Sequence, residues 1–258
     1  MTLGPIQIHW YGLMYIVGFA AGWRLAIFRA KKMPDWNRDK VSDLLFYVAV
    51  GVVLGARLGY MFFYDFAGFM AEPLRIVEVW QGGMSFHGGL IGVILAMVLY
   101  ARKTGLRFFQ VADFVAPLAP IGLFFGRIGN FINGELWGKI TDSPLGMWMY
   151  DPQLQVMVRK YPTQLLEAFL EGLMLFAILW GYTAKPRREG STSGLFLLGY
   201  GVFRFCVEFF RAPDAQLGYL MWDWVTMGQI LSLPMVIIGV GFIEWANRRD
   251  APARNTPD

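Results

Sequence analysis

The chain has 258 residues, 56% hydrophobic and only 16% charged, with a formal net charge of +4 and a mean hydropathy of +0.43. Soluble domains carry about 25% charged residues, so the composition excludes an ordinary soluble domain and describes a polytopic membrane chain. One cysteine, Cys206, excludes an internal disulfide and a cysteine-rich metal site, and the two histidines, His9 and His87, are too few for a multi-histidine one.

A span needs about 20 mostly apolar residues, fewer where a helix breaks at a polar cavity. In chain order the pattern predicts seven helices: about Tyr11 to Phe28, Leu44 to Tyr64, Gly88 to Tyr100, Val111 to Phe125, Gln164 to Tyr182, Gly194 to Phe210 and Thr226 to Trp245. The first lacks a basic approach and leads into more membrane, so no cleavable signal peptide is expected. The fourth contains Pro117 and Pro120 and is expected to be kinked or short. After it, about Gly129 to Pro162 reads as a small extracytoplasmic cap. Residues 1–248 thus read as one all-α transmembrane domain, and the polar tail 249–258 as disordered and cytoplasmic.

Loop charge sets the orientation. Alternate loops hold Arg29, Lys31, Lys32, Arg38 and Lys40; Arg102, Lys103 and Arg107; Lys185, Arg187 and Arg188; and Arg248, Arg249 and Arg254. That is fourteen of the 23 basic residues, against five (Arg75, Lys139, Arg159, Lys160, Arg211) in the opposite loops. The positive-inside rule puts the first set in the cytoplasm, the N-terminus outside and the C-terminus inside. This pattern explains the basic balance without any nucleic-acid partner. Arg24, Arg57, Arg127 and Arg204 lie in or at the edges of spans, and Arg24 is placed to snorkel to the interface.

The segment GRIGNFINGELWG, Gly126 to Gly138, puts Arg127, Asn130, Asn133 and Glu135 at the end of the fourth span. A guanidinium there is costly without a partner or a task. The topology brings it to the outer face, with His87 at the entry of the third span and Tyr11 at the start of the first. RFCVEFFR adds Arg204, Glu208 and Arg211 at i, i+4 and i+7, on one helix face.

Each has a bland alternative. Arg204 and Glu208 can neutralise each other within a bundle. A lone histidine such as His87 is more often a hydrogen-bonded packing residue than a catalyst, Tyr11 near an interface is usually an aromatic-belt residue, and Asn133 can serve as a turn or cap. The glycines around His87 suit close helix packing as well as substrate approach. Cys206 reads as inert packing, and the i, i+4 pair Glu167 and Glu171 as a structural partner for arginine or amide groups. What favours a task is charge. Arg127, Arg204 and Arg211 exceed what Glu135 and Glu208 neutralise, and surplus guanidinium at headgroup depth suits a phosphate.

These segments resemble the bacterial prolipoprotein diacylglyceryl transferase family. Its motif G-R-x-G-N-F-x-N-x-E-x-x-G is filled at every fixed place by Gly126, Arg127, Gly129, Asn130, Phe131, Asn133, Glu135 and Gly138. HWYGLMY, GGMSFHGGLIG, YGVFRFCVEFFRAPDAQ and TMGQILS also resemble the family, in family order over almost the whole chain. One departure is Tyr161 in YPTQLLE, where members often carry a histidine.

The resemblance implies seven spans in the bacterial inner membrane, with the active site toward the periplasm. It implies transfer of the diacylglyceryl group of phosphatidylglycerol to the lipobox cysteine of a prolipoprotein signal peptide. A thioether forms and glycerol phosphate leaves, with membrane lipids around the enzyme and no cofactor or metal. His87 is then the candidate base, since a thiol near pKa 8.5 needs help to become a nucleophile. Arg127 and Arg204 are candidates to stabilise the leaving phosphate. Glu135 and Glu208 are expected to orient those guanidiniums. The substrate-binding set is Tyr11, Arg127, Asn130, Asn133, Glu135, Arg204, Glu208 and Arg211. The competing reading, a phospholipid or anion transporter built on the same arginines, favours paired repeats and broken helices in both halves, which this sequence lacks.

Overall fold

The computed structural model describes residues 2–3, 6–7, 10–78, 82–151, 154–213, 218–222 and 224–248. His9, the side chain of Tyr11 and the tail 249–258 lie outside the described residues. The described chain is mostly helical. The helices are α1 (Trp10–Ala30), α2 (Arg38–Phe63), α3 (Phe66–Ala71), α4 (Phe86–Thr104), α5 (Phe108–Val115) and α6 (Ala119–Ile132), then α7 (Thr163–Glu167), α8 (Leu175–Tyr182), α9 (Ser191–Val207) and α10 (Met227–Arg248). A π-helical segment, Ala168–Met174, joins α7 to α8. A 3-10 helix, Pro73–Val77, and two hairpins are also present, β1 (Thr2–Leu3) with β2 (Ile6–Gln7), and β3 (Met147–Asp151) with β4 (Val156–Lys160).

Among the described residues five helical stretches are long and apolar enough to cross a membrane: Gly12–Ala30, Arg38–Phe63, Phe86–Thr104, Thr163–Tyr182 and Met227–Arg248. The bent pair α5 and α6 makes a sixth if counted as one span, and α9 is apolar but shorter. The bend follows from the prolines. Pro117 lies in the break, and Pro120 sits in the first turn of α6, where a missing N–H costs no helical bond.

The chain divides into two compact units, Trp23–Ala112 and the segments on either side of it. In the first unit, α2 and α4 meet through glycines one turn apart, Gly51, Gly55 and Gly59 against Gly88 and Gly92. A Cβ at Gly59 would sit 2.7 Å from Gly88 Cα, and one at Gly51 would sit 2.6 Å from Gly92 O. Small residues let two backbones touch where lipid gives no hydrophobic drive to association. Tyr100, fully buried, donates its hydroxyl to Lys40 O at 2.8 Å.

Arg57 is buried too, and its guanidinium donates to Ile76 O at 3.2 Å, Gly82 O at 2.5 Å, Gly83 O at 3.1 Å and Arg75 O. Its task is structural: it gathers the carbonyls of the segment that leads into α4.

In the second unit, α9 and α10 pack closely at Gly194 and Gly239, where a Cβ on Gly239 would meet Gly194 O at 2.7 Å. α9 starts from Gly190 at φ 87, which has no side chain to cap it. Asp113 caps it instead, accepting from Gly190 N at 2.7 Å and from Ser193 N and Oγ at 2.8 and 2.6 Å. The stretch expected as a cap leaves α6 through Gly134 at φ 71, forms the β3–β4 hairpin and returns at Thr163.

Candidate active site

α6, the α7–π rod and the end of α9 each send charged side chains to one place. Arg127, from α6, sets Nε 2.8 Å from Glu167 Oε2 and Nη2 3.8 Å from Glu171 Oε2. Arg204, from α9, sets Nη1 2.6 Å from Glu167 Oε1 and 3.8 Å from Glu171 Oε1, and Nη2 2.5 Å from Glu208 Oε1. Arg211 reaches Glu167 Oε1 at 3.1 Å with Nη1 and Glu208 Oε1 at 3.6 Å with Nε. Glu167 thus joins all three arginines. The i, i+4 and i, i+3 pairing within RFCVEFFR is present as the spacing predicts.

The cluster is layered. Glu167 and Glu171 are fully buried and Glu208 nearly so, while Arg127, Arg204 and Arg211 keep 19%, 15% and 15% of their side-chain surface. Buried carboxylates therefore form a floor beneath partly open guanidiniums. Nη1 of Arg127 and Nη2 of Arg211 make no hydrogen bond among the described residues. The geometry offers fixed donors to an anion and keeps the compensating negative charge behind them.

This corrects the arginine surplus expected from sequence. Three guanidiniums face three buried carboxylates, because Glu167 and Glu171 turn toward the cluster and fill the structural role open to them. The correction extends to Glu135. It is exposed and accepts from Asn130 Nδ2 at 3.4 Å and Asn133 Nδ2 at 3.2 Å, with no guanidinium partner among the described residues. The cause is local: the turn through Gly134 and Leu136, at φ 71 and 59, folds the carboxylate back onto the last turn of α6.

Sequence reasoning missed Thr163 and Gln164, which hold this motif loop to the start of α7. Thr163 Oγ1 donates to Leu136 O at 2.9 Å, and Gln164 Nε2 donates to Glu135 O. Gly138 must be glycine, since a Cβ there would lie 2.7 Å from Thr163 Cγ2. The signal was polarity in an apolar run, TQLLE ahead of Glu171, at the head of a span.

His87 belongs to the other unit, exposed in the first turn of α4 beside the Phe86 ring at 5.6 Å. Ser85 caps that turn, accepting from Gly88 N at 3.2 Å. The neighbouring Gly88 and Gly92 are packing glycines, as their bland alternative had it. Tyr161 packs edge-on against Phe210, with ring centroids 5.3 Å apart. Cys206, expected as packing, is exposed.

The chain is similar to known proteins over nearly its full length. The family model described as Prolipoprotein diacylglyceryl transferase matches residues 1–245. A relative from Hydrogenovibrio crunogenus, named phosphatidylglycerol–prolipoprotein diacylglyceryl transferase, is 62% identical over 250 residues, covering 97% of this chain and 94% of its own. Relatives of the same name from Ectopseudomonas mendocina and Azotobacter vinelandii are 57% and 55% identical, covering 96% and 97% of this chain and 93% and 94% of theirs. The chain belongs to the prolipoprotein diacylglyceryl transferase family.

Proposed function

We propose that this chain transfers the diacylglyceryl group of phosphatidylglycerol to the lipobox cysteine thiol of a prolipoprotein signal peptide. The observation that carries the reading is the guanidinium cluster with uncommitted donors, in a chain 62% identical to a relative named for this transfer. The thiol sulfur attacks the glyceryl carbon that bears the phosphate oxygen. A carbon–sulfur bond forms, the carbon–oxygen bond breaks, and its electron pair leaves on glycerol phosphate. The thiol proton goes to a base, the role we give to His87.

Arg127 and Arg204 meet the negative charge that grows on the phosphate, and Arg211 widens the clamp. Glu167, Glu171 and Glu208 hold the guanidiniums in place beforehand, so little reorganisation is needed as charge develops. Asn130, Asn133, Glu135 and Tyr11 complete the binding set for the headgroup or peptide. The nucleophile belongs to the substrate, so Cys206 has no part in the chemistry. The setting we propose is a seven-span protein of the bacterial inner membrane, with its N-terminus and active site on the periplasmic side. It has residues 1–248 as one membrane domain, a cap near 129–162 and a disordered cytoplasmic tail.

The test is direct. Purified protein, given phosphatidylglycerol and a lipobox peptide, is expected to add one diacylglyceryl mass to the cysteine. Headgroup binding with no added mass refutes the proposal and favours the transporter.

A further inference from the structure

Building on the transferase reading, we propose that the first turn of α10 positions the arginine cluster: Thr226 and Gly228 set the Glu208 carboxylate and, through it, Arg204 and Arg211. Thr226 Oγ1 donates to Glu208 Oε2 at 2.7 Å, and the two residues are only 3% and 4% exposed. The other oxygen, Oε1, faces Arg204 Nη2 at 2.5 Å and Arg211 Nε at 3.6 Å. One side of the carboxylate is tethered to α10, and the other lies between two guanidiniums.

The tether is itself held. Thr226 N donates to Gln229 Oε1 at 3.0 Å, and Gln229 N donates to Thr226 Oγ1 at 3.3 Å. This is a reciprocal capping box with glutamine as its far partner. An N-terminal threonine needs only its acceptor to cap a helix. Here the hydroxyl proton is committed as well, to a carboxylate that caps nothing in α10.

Gly228 supplies the room. A Cβ there would lie 2.5 Å from Glu208 Cδ and 2.6 and 2.8 Å from its two oxygens. Any side chain at 228 must displace the carboxylate or the helix. Thr226 and Gly228 touch no reacting atom in this scheme. They are positioning residues, and their effect is on how well the guanidiniums are preorganised.

The experiment measures kcat and thermal unfolding of the purified full-length protein, with phosphatidylglycerol and a lipobox peptide as substrates. Thr226→Val is expected to lower kcat about 10- to 100-fold, the loss of one charge-assisted hydrogen bond. Thr226→Ser keeps the hydroxyl and is expected to stay within about threefold of wild type. Gly228→Ala is expected to lower kcat as Thr226→Val does, and it carries the test if the valine variant does not fold. Asn37→Ala removes an ordinary cap, the 2.8 Å bond from Lys40 N at the head of α2, and is expected to lower stability while kcat holds.

Wild-type kcat in both Thr226→Val and Gly228→Ala overturns the proposal, as does a serine variant no better than valine. If the wild type adds no diacylglyceryl mass, the transferase reading is what fails. Coupling is then read from unfolding alone: Thr226→Val and Glu208→Gln should be non-additive, and additive losses overturn the positioning role.

Discussion

Glu167 decides how the cluster works. Its two oxygens reach Arg127, Arg204 and Arg211 at 2.8, 2.6 and 3.1 Å, so the geometry of each guanidinium depends on a shared acceptor. Arg204 and Arg211 hydrogen-bond Glu167 Oε1, Arg127 forms an ion pair with Oε2, and lysine does not reproduce the guanidinium fork that spans Glu167 and Glu171. Arg127→Lys keeps the charge but is expected to cost about 100-fold or more in kcat, with folded protein still in the membrane. Turnover near wild type would show that charge alone suffices there. His87→Ala is expected to lower kcat about 100- to 10,000-fold, the usual worth of a positioned base, and added imidazole should restore part of it. An unchanged rate would return His87 to a packing role.

At the scale of elements, glycine spacing sets which helices touch. Gly51, Gly55 and Gly59 recur every four residues on α2 and face Gly88 and Gly92 on α4, so both backbones come within van der Waals reach. Gly92→Ala would place a Cβ 3.0 Å from Gly55 Cα and 2.8 Å from Gly51 C, against rigid backbone. It is expected to destabilise by about 1–3 kcal/mol, the usual cost of overpacking, read as a lower unfolding temperature in detergent. Gly241→Ala, on α10, meets nothing within 4 Å and is expected to be neutral or slightly stabilising. Equal effects from the two would mean that α2 and α4 are not in close contact. These elements were partly legible beforehand. The bend at Pro117 and the pairing within RFCVEFFR follow from local rules of backbone and spacing. The cap on α9 was not legible, because Asp113 lies 77 residues from the Gly190 N–H it accepts from.

At the scale of the whole molecule, the charge asymmetry of the loops predicts a measurable topology. Reporter fusions after Arg248 are expected to be active only in the cytoplasm, and labels at the N-terminus to react only from outside. The opposite pattern would move the arginine cluster to the cytoplasmic face and remove the basis for a periplasmic site.

The amino-acid sequence by itself determined the membrane class, the apolar helices and the family, because apolar length, loop charge and the Gly126 to Gly138 motif are properties of the chain read in one dimension. It also showed that Arg204 and Glu208 stand one turn apart, since helical periodicity is local, whereas Arg211 meets Glu208 from the turn beyond α9, which ends at Val207. Only the tertiary structure decided which carboxylates face the arginines. Glu167 and Glu171 were visible as a pair, but whether they meet Arg127 and Arg204 depends on how three helices are rotated about their own axes. No local pattern encodes that rotation, and over a few ångströms it turned an apparent arginine surplus into three guanidiniums facing three carboxyl groups.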